Sequence, residues 1–173
     1  MVSGRTPFHL AALQVSVDVL RILLPFVRDI NLAAHDGYTA VHYAACFKHP
    51  SHSQSESLDL LISYGADVRR RDNDGRTALH MVAYSDNITV AEMLIANGAE
   101  LDVTENVIGE TPLNTAAAHD RQEMIKLLLE SGADVTIGDK NHQTPLHKLQ
   151  AVQGSCSCAK GFSLWLLLCK ILV

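Results

Sequence analysis

Little in this sequence points to secretion, a membrane or catalysis. Cysteine is scarce: Cys46 stands alone, and Cys156, Cys158 and Cys169 bunch near the end. That is no disulfide framework and predicts a reducing, intracellular setting, the cytoplasm with the nucleus left open. The first five residues lack the apolar core and small-residue cleavage site of a secretory leader. The longest apolar run, 162–173 (FSLWLLLCKILV), is broken by Lys170. It falls short of the roughly 18–20 residues a membrane span requires, so no stable insertion is expected. Cys169 is fifth from the end, which excludes a prenylation box. Basic residues are in deficit, 14 Lys+Arg against 19 Asp+Glu for a net charge of -5, which argues against general nucleic-acid binding. No Gly-rich phosphate loop, G-x-S-x-G or H-E-x-x-H occurs, so neither an enzyme nor a cofactor is expected.

What is present is repetition. A chain with 47% apolar and 19% charged residues has the composition of a folded protein. The same phrase returns five times: TPFHLAA at Thr6, TAVHYAA at Thr39, TALHMVA at Thr77, TPLNTAA at Thr111 and TPLHKLQ at Thr144. The intervals are 33, 38, 34 and 33 residues. A period near 33 carrying T-P-L-H-x-A resembles the ankyrin repeat. The resemblance covers about Gly4 to Leu149 and implies an all-α solenoid of helix-turn-helix units with short β-hairpin fingers. Units are expected near 4–36, 37–74, 75–108 and 109–141, with a partial fifth at 142–149. Residues 150–173 form a degenerate tail, readable as a non-standard capping helix.

One unit can be built from its residues. Thr111 suits an N-cap and Pro112 the first helical position, where no N–H donor is needed. Leu113, Ala116 and Ala117 give a small apolar face. Asp120 starts a turn, and 122–130 (QEMIKLLLE) predicts a second helix with Met124, Ile125, Leu127, Leu128 and Leu129 inward. Gly132 supplies a left-handed stop before the chain leads into a finger. In the first unit Val27 replaces that glycine, and Pro25 would end the helix instead. Such a helix pair cannot bury its apolar face alone, so stability comes from stacking.

Departures from the period locate individual features. The second unit has five extra residues, placed in the polar stretch 48–57 (KHPSHSQSES) and expected as an exposed loop. The finger before Thr111 is one residue longer than the others. The fifth unit keeps Thr144-Pro145-Leu146-His147 and then loses the pattern. Both ends look abrupt, which suggests a fragment, a splice form or a domain whose end a partner covers.

His9, His42, His80 and His147 each follow their Thr by three residues. One per unit is too widely spaced for a shared metal ion. The resemblance implies that they bridge backbone groups of adjacent units. Asn114 stands in their place in the fourth unit and can also donate and accept. His49 and His52 around Pro50, and Cys156-x-Cys158 with Cys169 and His147, lack metal-site spacing.

The finger at 66–76 carries Arg69, Arg70, Arg71 and Arg76 among Asp67, Asp72 and Asp74. It reads either as a solvated charge run or as a basic knob for a carboxylate- or phosphate-rich partner segment. The next finger is acidic, with Glu100, Asp102, Glu105 and Glu110, so alternating charge would set a partner's register. The resemblance implies non-catalytic binding of a partner protein through fingers and concave face. Candidate contacts are Arg69, Arg70, Arg71, Arg76, Asn73, His35, Tyr38, Glu105, Val107 and Glu110. Leu23 followed by Asp29-Ile30-Asn31 is similar to the sequence an asparaginyl hydroxylase modifies in such fingers, making Asn31 a candidate for hydroxylation. Two alternatives stand beside this reading. One is a signalling inhibitor resembling the cytoplasmic inhibitors of NF-kappa-B, although their acidic, Pro/Glu/Ser-rich tail is lacking. The other is the recruitment arm of a larger scaffold, ligase or channel protein.

Overall fold

A computed structural model of the chain describes residues 4–46 and 53–153. Every repeated phrase opens a helix: α1 (Pro7–Leu13), α3 (Ala40–Ala45), α5 (Ala78–Ser85), α7 (Pro112–Ala118) and α9 (Pro145–Gln153). The Thr before each helix is extended, and in α1, α3 and α5 its hydroxyl accepts from the N3 backbone N–H. The N3 His side chain returns a bond to the Thr backbone. This is a capping box with histidine in the reciprocal place, and it satisfies donors a helix start leaves free.

Between these inner helices lie α2 (Val17–Leu23), α4 (Ser53–Ser63), α6 (Ile88–Ala96) and α8 (Gln122–Glu130). Inner helices stack α1–α3–α5–α7–α9 and outer helices α2–α4–α6–α8, with each pair packed together. The core is one continuous cluster running from Phe8 through Leu79 and Leu113 to Leu149. Small side chains such as Ala12, Ala45, Ala83 and Ala117, all fully buried, let the inner helices approach closely. Leu79, Leu113 and Leu128 fill the space between layers, each contributing about 2 kcal/mol by leaving water.

The helix pairs turn on a left-handed residue: Val15, Asp86 and Asp120 have φ of 56°, 60° and 52°. Aspartate visits this region readily, whereas Val15 is β-branched and strained there, held by its own burial. After Leu23 the first unit passes into a 3-10 turn, Leu24–Phe26, that carries Pro25. The stop falls where Pro25 predicts it. α8 has the bounds read from the sequence, with Met124, Ile125, Leu128 and Leu129 buried and Leu127 partly so.

Three expectations change. Among the described residues there are no strands; each finger is a tight turn closed by a single backbone pair, such as Asp72 N–H to Arg76 O at 2.8 Å. The inserted stretch is not wholly loop, because Ser53–Ser57 form the first turns of α4. There Gln54 is buried and donates to Ala44 O at 2.8 Å. α9 continues past the expected boundary at 149 to Gln153. The segments 47–52 and 154–173, with His49, His52, Cys156, Cys158, Cys169 and the apolar run 162–173, lie outside the described residues.

Candidate functional site

The fingers stand in a row because each is tied to the next. Asn73 N–H donates to Asp36 O (3.3 Å), Asn106 N–H to Asp74 O (2.6 Å) and Lys140 N–H to Ile108 O (2.8 Å). Histidines on α1, α3 and α5 tie each of these helices to the backbone beside the finger that follows it. Nε2 of His9, His42 and His80 donates to Leu32 O, Arg76 O and Glu110 O at 2.9, 3.3 and 3.2 Å. Nδ1 accepts from the Thr N–H, which sets the tautomer. Burial lowers the basicity of His42, and pushes His80 down to about 4. The His42 and His80 rings are neutral brackets, not proton-transfer groups. Asn114 Nδ2 replaces them with a bond to Ile137 O at 3.1 Å, while its Oδ1 finds no partner. Among the described residues no three His, Cys, Asp or Glu side chains gather as a metal site would require.

Finger closure depends on an acidic residue whose length matches the turn. The second and fourth fingers span five residues, Asp72 to Arg76 and Asp139 to Gln143. Asp72 Oδ1 accepts from the N–H groups of Asp74 and Arg76, and Asp139 Oδ1 from those of Asn141 and Gln143. The third finger spans six, Glu105 to Glu110, and the longer glutamate takes over. Its carboxylate accepts from Val107, Ile108, Gly109 and Glu110 at 2.5–3.2 Å. Burial alone would raise the Glu105 carboxyl, but these four donors outweigh it and hold it below the ordinary range.

Glu105 is thus 9% exposed and committed to its own loop, which corrects its expected role as a partner contact. The acidic finger is internally occupied elsewhere too. Asp102 accepts from Asp134 N–H (2.9 Å), and Glu110 pairs with Lys148 (2.9 Å), which also pairs with buried Asp139 (2.7 Å). Lys148 holds the fifth unit to the fourth through that pair.

The basic knob also divides. Arg71 donates through Nε to Gly75 O and through Nη2 to Thr104 O (2.5 Å), bridging two fingers. Arg69 pairs loosely with Asp67 at 3.3 Å. Arg76 pairs with Asp72 (2.9 Å) and Asp74 (2.7 Å) and lies over the Tyr38 ring. Of these four arginines, Arg70 is the one whose side chain is exposed with neither an ion pair nor a hydrogen bond among the described residues. Asn73, though exposed, is engaged within the protein, its Nδ2 donating to His35 O at 2.8 Å. Asn31 Oδ1 accepts from Asp67 N–H (2.8 Å), tying the first exit to the second.

On the face formed by fingers and inner helices lies an open cleft of about 730 Å³. It gathers five of the expected residues, Tyr38, Arg76, Glu105, Val107 and Glu110; Arg69, Arg70, Arg71, His35 and Asn73 are outside its lining. The sequence reading missed Tyr84, Ile108, His119 and Arg121, which also line it. Tyr84 and His119 meet edge to face at 4.7 Å. Tyr84, Val107 and Ile108 are 56, 63 and 45% exposed. The available signal was an aromatic at the end of an inner helix, where the other units place smaller residues.

The chain matches the family model for ankyrin repeats (3 copies) over residues 2–72 and 51–139. It is 36% identical over 110 residues to Protein PhlB of Serratia liquefaciens, covering 62% of this chain and 48% of PhlB. It is 30% identical over 143 residues to the B-cell lymphoma 3 protein homolog of Mus musculus, covering 83% of this chain and 32% of that protein. It is 32% identical over 148 residues to putative ankyrin repeat protein FPV223 of fowlpox virus, covering 84% of this chain and 98% of the viral protein. The chain therefore spans less than half the length of the first two relatives and nearly all of the third. With histidine-bracketed helix pairs stacked in register and a profile match over most of its length, the chain belongs to the ankyrin repeat family.

Proposed function

We propose that the array is a non-catalytic interaction module that takes a partner protein across the concave face. The observation that carries this is the open cleft there, walled by Tyr84, Val107 and Ile108, large side chains the fold leaves exposed. Among the cleft's polar groups, Arg76, Glu105 and Glu110 are occupied within the protein. A partner would meet a preorganised surface and order few side chains on binding. Arg70 and Arg69 stand on a finger outside the cleft lining and offer a secondary contact for an acidic or phosphorylated stretch. An intracellular, reducing location fits the free Cys46 thiol on the cleft wall.

The test is affinity capture with three baits: wild type, the cleft-filling variant Thr115→Arg, and Arg69, Arg70 and Arg71 all changed to Ala. Partners lost with Thr115→Arg but kept with the triple variant support the concave face. The reverse pattern assigns recognition to the basic finger. Partners indifferent to both sink the reading.

A second reading, an inhibitor resembling the cytoplasmic inhibitors of NF-kappa-B, is favoured by the six-residue third finger and the insertion between α3 and α4. Similarity to the NF-kappa-B p105 subunit of Mus musculus, 35% identical over 139 residues, points the same way. Titration with a purified NF-kappa-B dimer separates the two: saturable binding supports it, and none removes it.

A further inference from the structure

Resting on the concave-face reading, the geometry points to a more specific occupant of the cleft: a partner segment with a large apolar side chain and an acidic residue close by in sequence. The apolar half is built by two walls. Tyr84, at the end of α5, is braced by His119 at the end of α7, and across from them the third finger lifts Val107 and Ile108 into solvent. Those two residues project because the turn is one residue longer than its neighbours, and Glu105 holds it with four backbone bonds. An aliphatic or aromatic side chain seated between the walls removes apolar surface on both sides from water.

The acidic half follows from which charges remain available. Arg76 is neutralised by Asp72 and Asp74, and Glu110 by Lys148. Arg121 differs. It lines the same cleft, uses Nε to reach Tyr84 O at 3.2 Å, and forms no ion pair with another described residue. Its terminal guanidinium nitrogens are thus open to a carboxylate. His119 Nδ1 donates to Thr115 O at 2.9 Å, which fixes the ring that braces Tyr84.

The test uses the whole chain and a displayed library of random linear peptides, with binding of the enriched sequences measured to wild type and variants. The expected peptides share a large aliphatic or aromatic residue near an Asp or Glu, and Thr115→Arg abolishes their binding. Tyr84→Ala and Val107→Asp should each weaken them about tenfold, and Arg121→Gln a few-fold, only for peptides carrying the acid. Val107→Asp changes an exposed tip, so it decides the matter even if Tyr84→Ala unfolds. Peptides blocked by Thr115→Arg but indifferent to Tyr84, Val107 and Arg121 overturn this inference while leaving the concave-face reading intact. Peptides that need Arg69, Arg70 and Arg71 instead overturn both. A library yielding no peptide sensitive to the cleft also counts against it.

Discussion

The third and fourth fingers solve the same problem with different parts. Each must close a turn, tie its backbone to an inner helix and stack on its neighbour. The fourth does so in five residues with Asp139, a left-handed His142 and a bond from Asn114. The third uses six residues, with Glu105 for closure and a bond from His80. One added backbone residue is matched by one added methylene on the closing acid, so the turn grows without losing its internal donors. The surplus appears outside, as the exposed pair Val107 and Ile108. Stability and binding surface are thereby separated: the acid serves the loop, and the tip is free to vary.

The comparison can be broken most severely at Glu105. Glu105→Ala removes the acceptor for four N–H groups and should cost about 3 kcal/mol in urea unfolding. A smaller but pH-dependent effect is expected at His80, whose folded value is lowered to about 4 from 6.5. A base with a depressed folded value takes up its proton more readily when unfolded. Its contribution is therefore complete above pH 6.5 and is lost as pH falls toward 4. Between pH 7 and pH 5 the loss should be about 2 kcal/mol. His80→Asn, built on the Asn114 precedent, should remove that slope; unfolding curves at the two pH values with equal slopes in both proteins would refute the bracket role.

The length match itself is tested by Glu105→Asp. The shorter acid should cost about 1.5 kcal/mol in the six-residue turn and much less when Ile108 is also deleted. Additive losses in that double-mutant cycle would show that acid and turn length are unrelated. Asn114→His should bring the fourth finger closer to the third, supplying the acceptor for Thr111 N–H that Asn114 does not reach. A gain of about 1 kcal/mol in the unfolding free energy is expected, read from urea curves. The smallest effect belongs to His142. It has φ 59° where Gly75 and Gly109 have 79° and 83°, so His142→Gly should gain at most about 1 kcal/mol. No rise in Tm would mean that local contacts of the imidazole offset the backbone preference.

Much of the array was legible from residue order because its determinants are local. A capping Thr, a Pro at the first turn and an apolar spacing of three and four residues specify helices within a dozen positions of chain. The bounds of α8, the Pro25 stop and the site of the longer finger all follow from such short-range rules. The candidate contacts fared unevenly for the same reason. Tyr38, Arg76 and Val107 were placed by their position before or within a finger, and they line the cleft. Arg71, expected as part of the basic run, and Asn73 beside it are spent on neighbouring fingers through Thr104 O and His35 O, tens of residues away in sequence.

The sequence alone determined where each repeated phrase opens a helix, the cap at each start and the positions of the irregularities, since each is written in residues adjacent along the chain. Only the tertiary structure decided which charges remain available. Whether Glu105 meets a partner or its own loop, whether Lys148 is solvated or locked between Glu110 and Asp139, and whether Tyr84 finds His119 all depend on the packing of successive units. Hydrogen bonds and ion pairs act over a few ångströms of space, and stacking brings those ångströms from one repeat to the next.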